Sequence, residues 1–232
     1  MNKVLFVLPY AGGSSFNFIF FSKFIKNCKI YLLDYPGHGT KIKEKLNNSI
    51  EELAQAIVEQ ILNLLEKDQK FYIFGHSMGG IVAWHVNSIL SNKYKKYPEI
   101  LFISSCSSPQ FFSKTNHYDF INKKNLMNRL SKNNRMNYKI LESEYFQNIL
   151  LPIIVHDYKL IRNYEIKKIK KTIVPIYTFL GNNDELVKEK DILEWSNLTS
   201  SEYKNFIFIG DHFYFEEKKN LFELCSILEN IF

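Results

Sequence analysis

The chain has 232 residues, 46% of them hydrophobic and 16% aromatic, enough for one sizeable buried core and too apolar for a disordered segment. Its formal charge of +6 is spread along the chain with no nucleic-acid-binding motif beside it, so a nucleic-acid partner is not expected. Three distant cysteines, Cys28, Cys106 and Cys225, suit a reducing compartment rather than a disulfide framework or metal site, and no stretch is apolar for long enough to cross a bilayer.

Taken in order, residues 4–8 are a continuous apolar run ended by Pro9-Tyr10-Ala11-Gly12-Gly13, which reads as a buried strand entering a tight loop. Residues 16–25 follow as a helix capped by Ser14 or Ser15. A second strand over 29–33 leads into Asp34-Tyr35-Pro36-Gly37-His38-Gly39. Ser49 then opens an amphipathic helix with Leu53, Ile57, Ile61 and Leu64 on one face. Strands are expected at 71–74, 100–104, 173–180 and 205–209, and a closing helix at 221–232. Strands and helices alternate, and the strands are apolar almost throughout. The pattern calls for an α/β fold with a mainly parallel sheet covered on both faces, spanning 1–232 as a single domain. Residues 109–163 break the rhythm and read as a helical lid inserted over the sheet. The first half of that insertion is basic, with Lys114, Lys123, Lys124, Arg129, Lys132, Arg135 and Lys139 against Asp119.

The most informative stretch is Phe71-Tyr72-Ile73-Phe74-Gly75-His76-Ser77-Met78-Gly79-Gly80. It sets G-x-S-x-G between a strand and a helix, the context in which the motif forces a strained turn and pushes the serine hydroxyl outward. The turn predicts that no Cβ fits two positions before or after Ser77. A serine nucleophile needs a general base and an orienting carboxylate, in the chain order Ser, Asp, His for this architecture. His38 and His76 precede the serine. His85 lies two helical turns beyond it, and His117 and His156 fall in the insertion. His212, after the last strand, is the choice for the base. Asp184, after the fifth strand, is the choice for the carboxylate, with Glu185 and Asp211 turned elsewhere. The oxyanion hole falls to the amide of Met78 and to that of Ala11, with Gly12 a close alternative.

Pro-Tyr-Ala-Gly-Gly-Ser, Tyr-Pro-Gly-His-Gly, Gly-His-Ser-Met-Gly-Gly, Gly-Asn-Asn-Asp-Glu-Leu-Val and Gly-Asp-His-Phe resemble, in order and spacing, the type II thioesterases. These are α/β-hydrolases that accompany nonribosomal peptide and polyketide synthases. Leu151-Pro152 followed by Asp157 and Tyr164 also resembles the family, while Tyr10, Val155 and Arg162 depart from its commoner residues. The resemblance implies hydrolysis of acyl or aminoacyl thioesters from the phosphopantetheine arm of acyl or peptidyl carrier domains. The chain itself reads as cytoplasmic, and a monomer with no metal or cofactor of its own and no membrane partner is expected. Lys123, Lys124, Arg129 and Lys132 are then expected to meet an acidic carrier. A carboxylesterase or lipase with the same triad, and a non-catalytic binding protein on the same scaffold, are the competing readings.

Overall fold

Alternating side chains along each strand divide the interior into two layers. The structure is a computed structural model describing residues 2–112, 125–127, 138–166 and 169–232. Its sheet holds β1 (Lys3–Leu8), β2 (Lys29–Leu32), β3 (Lys70–His76), β4 (Leu101–Ser104), β5 (Ile176–Gly181) and β6 (Tyr203–Phe208). Their spatial order is β2-β1-β3-β4-β5-β6, and each pairing is parallel. Val4, Phe6 and Leu8 face one layer and Leu5 and Val7 the other, the period of two that a strand imposes. The first layer is built with α2 (Ile50–Leu64) and α3 (Met78–Ile89), the second with α1 (Ile19–Phe24) and α8 (Lys218–Ile231). With both faces covered, the strands can be apolar throughout, as the sequence pattern predicts.

Register brings the functional loops to one edge. Leu8 pairs with Gly75, His76 with Ser104, Ser104 with Phe179, and Gly181 with Phe208. The carboxyl ends of five strands therefore finish within about three residues of one another. Strand order reverses between β1 and β3, where parallel sheets open a crevice for ligands. The loop after β1 and the elbow after β3 flank that crevice.

Several elements differ from expectation at their ends. β5 starts at Ile176 rather than 173, because Pro175 has no amide for the ladder and Ile173 is turned out to solvent. β6 begins two residues early, where Tyr203 already pairs with Ile176. The helix expected over 16–25 is a 3₁₀ turn (Ser15–Phe18) followed by α1, and Ser14 is its cap. Ser49 caps α2 through a 3.1 Å bond from the Glu52 amide.

Among the described residues of 109–163, α4 (Pro109–Phe112), α5 (Tyr138–Leu141), a π-turn (Phe146–Leu150) and α6 (Leu151–Asn163) are helical. Lys114, His117, Asp119, Lys123, Lys124, Arg129, Lys132 and Arg135 lie outside the described residues; Lys139 is exposed. A last short helix, α7 (Glu189–Leu193), follows β5. No helix of the described residues is long and apolar enough to cross a membrane. All three cysteines are buried free thiols. Burial pushes Cys28 and Cys225 up to about 12 and Cys106 higher still.

Candidate active site

Ser77 sits between β3 and α3 with φ 55° and ψ −119°, a conformation costing a non-glycine residue about 1–3 kcal/mol. Its neighbours over-determine that geometry. The Ser77 amide donates to the Ser104 carbonyl at 2.8 Å, and Gly80 closes the turn by donating to the Ser77 carbonyl at 2.9 Å. A Cβ on Gly75 would lie 2.1 Å from the Gly79 carbonyl oxygen, and one on Gly79 would lie 2.4 Å from that of Leu8. Both obstacles are backbone, which cannot swing aside, so the two glycines flanking the serine are required as the sequence predicts. Met78, fully buried, is the first residue of α3, whose unpaired first amides carry partial positive charge.

His212 and Asp184, 28 residues apart, meet at 2.8 Å between Nδ1 and Oδ2. Their loops follow β6 and β5 and are laced together. Asn182 and Asn183 amides donate to the carbonyls of Phe208 and Gly210, and Gly210 donates back to the Asn182 side chain. The other Asp184 oxygen, Oδ1, accepts the amides of Leu186 at 2.8 Å and Val187 at 3.0 Å. Burial of the Asp184 carboxyl favours its neutral form. The charge and hydrogen bond of His212, with the two amides, outweigh that and hold its pKa below the ordinary value.

The His212 loop is also anchored to the elbow. The His212 and His76 rings are 5.0 Å apart, centroid to centroid. His76 Nδ1 lies 2.9 Å from Ser104 Oγ, which lies 2.9 Å from the Tyr214 hydroxyl two residues beyond His212. Asn220 holds the same loop through the Ile209 and Tyr214 carbonyls. His76 is thus turned into a buried network, away from the direction in which Ser77 projects in such an elbow.

The loop after β1 closes as a β-turn in which Gly13 donates to the Tyr10 carbonyl at 2.8 Å, with Gly12 at φ 71°. The Gly12 amide is occupied: it donates to Asp157 Oδ2 at 2.7 Å. Of the two alternatives the sequence leaves, Gly12 is thus the one already committed to a partner.

The other described histidines have other partners. His38 reaches Asp157, His85 lies 3.0 Å from the Tyr164 hydroxyl, and His156 reaches the Asn47 carbonyl. Glu185 is exposed, and Asp211 accepts its own loop's Phe213 amide. Sequence reasoning passes over Ser104, Tyr214 and the buried Asp157–His38 pair. Chain order rules His38 out as base without saying what else it does, and nothing in the sequence joins residue 38 to residue 157.

A family model described as a thioesterase domain matches residues 3–232. The gramicidin S biosynthesis protein GrsT of Aneurinibacillus migulanus is 28% identical over 219 residues, 93% of this chain and 84% of that protein. Thioesterase TesA of Mycobacterium leprae is 29% identical over 228 residues, 97% of this chain and 85% of that one. Among solved structures, ClbQ from the colibactin NRPS/PKS pathway matches with a TM-score of 0.86 at 25% identity, covering 99% of this chain and 96% of its own. The RedJ thioesterase of the prodiginine pathway in Streptomyces coelicolor reaches 0.88 at 20% identity, covering 99% and 85%, a likeness of fold. With that family model running from the first strand to the last helix, the chain belongs to the thioesterase domain family, and the resemblance carried by its sequence motifs holds.

Proposed function

We propose that this thioesterase is of type II and clears acyl or aminoacyl groups from the phosphopantetheine thiol of carrier domains in a nonribosomal peptide or polyketide synthase. Ser77 is the nucleophile, His212 the general base and Asp184 its orienting carboxylate. The observation that carries the reading is the 2.8 Å Asp184–His212 bond formed beside the strained elbow. Because the carboxylate accepts from Nδ1, the His212 proton sits there and Nε2 is left basic, able to take the Ser77 proton. Attack on the thioester carbonyl then develops an oxyanion, held by the amides of Met78 and Ala11. Expulsion of the thiol leaves an acyl-serine, which water activated by His212 hydrolyses. The described helices of 109–163 are assigned to a lid over this chemistry, and no metal or cofactor is called for.

Support for the substrate class comes from the relatives named above, one from gramicidin S biosynthesis and one from an NRPS/PKS pathway. The test is mass spectrometry of several acylated carrier domains, before and after incubation with the parent and with Ser77→Ala. Loss of the acyl mass with the parent alone is expected. Fast cleavage of simple esters with untouched acyl-carriers would move the assignment to a carboxylesterase.

A further inference from the structure

Asp157, on α6, is fully buried and joins three segments that are far apart in sequence. Its Oδ2 accepts the Gly12 amide at 2.7 Å and lies 2.9 Å from Nε2 of His38, itself 2% exposed. One turn earlier on the same helix, Ile154 packs so closely that a Cβ on Gly12 would lie 2.2 Å from its Cγ1. Residues three apart share a helix face, so α6 presses one face, an isoleucine and a carboxylate, onto a single glycine of the turn after β1.

We infer that Asp157, braced by His38, is a positioning residue for the hydrolysis: it fixes the Gly12 peptide and thereby aims the neighbouring Ala11 amide at the developing oxyanion. The inference rests on the site proposed above. Neither side chain touches the reacting atoms.

The hydrogen-bond inventory gives the strut a definite protonation. His38 Nδ1 lies 3.1 Å from the Pro36 carbonyl, and Nε2 faces the carboxylate. Both partners are acceptors, so one proton must occupy each line, and the pair holds one more proton than a neutral imidazole beside a bare carboxylate. The groups facing His38 are Asp157 from α6, Asp34 and Tyr35 from its own loop, and no cation among the described residues. Burial disfavours the charged ring. The hydrogen bond and charge of Asp157, with the Pro36 carbonyl and Asp34, more than offset it and raise His38 above its ordinary value.

Asparagine cannot replace Asp157, because both contacts use one oxygen. With its oxygen there, the buried imidazolium loses its counter-charge; with its nitrogen there, the Gly12 amide loses its acceptor. Asp157→Asn should therefore lower kcat for a short acyl thioester by about 10- to 100-fold with KM within about twofold, since a misplacement of about 1 Å costs a factor of that order. His38→Leu should do the same. His38→Gln keeps a donor towards Asp157 without titrating. It should keep kcat within about threefold of the parent at neutral pH and hold that value at alkaline pH, where the parent's kcat is expected to fall as His38 loses its proton. Circular dichroism and melting temperature are read on every variant, so that the Gln variant decides the matter if the Asn variant does not fold. Ser77→Ala is assayed alongside. If it still turns over, the site reading fails; if it is inactive while folded Asp157→Asn and His38→Leu keep kcat within twofold, the strut alone is refuted. A His38→Gln enzyme with the parent's alkaline decline also overturns it.

Discussion

Replacing Asp184 by asparagine is the sharpest test of the proposed triad, because the surrounding donors dictate how the amide must sit. Oδ1 receives two backbone amides, from Leu186 and Val187, and Oδ2 receives His212 Nδ1. Turning the asparagine nitrogen towards the backbone would set an NH₂ group against two N–H donors and leave both unsatisfied, at about 1–3 kcal/mol each. The oxygen therefore stays on the amides and the NH₂ faces His212. Nδ1 must then accept, its proton moves to Nε2, and the nitrogen meant to take the Ser77 proton already carries one. The analogous tautomer reversal in a serine protease costs about 10⁴ in kcat, which is about 5.4 kcal/mol at 1.36 kcal/mol per decade. Thiol release from an acyl thioester measures kcat, and calorimetry checks the fold, whose melting temperature should move by only a few degrees. A folded Asp184→Asn enzyme retaining a tenth or more of parental kcat would show that His212 does not depend on this carboxylate.

Two further outcomes are expected. Ser77→Gly removes the strain of φ 55°, worth about 1–3 kcal/mol, against a backbone-entropy cost of about 0.5–1 kcal/mol; the variant should be about 1 kcal/mol more stable to urea while losing turnover, and a less stable variant would mean the elbow is unstrained. Urea midpoints across pH should fall at both ends. The lowered Asp184 pKa contributes stability that is present above its ordinary 3.8 and lost as pH falls through the folded value. The raised His38 pKa contributes stability that is full below 6.5 and lost as pH rises through the folded value; a midpoint unchanged between pH 6 and 10 would contradict this.

The parts of the molecule legible in sequence are those that depend on local pattern. Gly75 and Gly79 could be read as obligatory because their neighbours in the turn are their neighbours in the chain. The parallel sheet and the Asp184–His212 pairing were also within reach, since such a sheet delivers its loops to one edge whatever the loops contain. Strand ends were harder, because Pro175 and its missing amide matter only once a partner strand is in place. The Asp157–Gly12–His38 junction was out of reach for a different reason. It joins loops after two strands to a helix more than a hundred residues away, and no periodicity or motif encodes which buried carboxylate meets which free amide. The same holds for Ser104, one serine in a run, which register places between His76 and Tyr214.

An enzyme that handles thioesters faces a hazard from its own sulfur, because a thiolate near the acyl group would accept it and trap the protein as a dead-end adduct. Cys106 packs against Gly80 in the first turn of the elbow helix, close enough that a Cβ there would lie 2.7 Å from its own. Sealed from water, with its thiol pKa raised by burial, it offers an incoming acyl chain no rival to the proposed nucleophile Ser77. Alkylating reagents should therefore spare this thiol in the folded protein, which makes its modification a direct reporter of elbow opening.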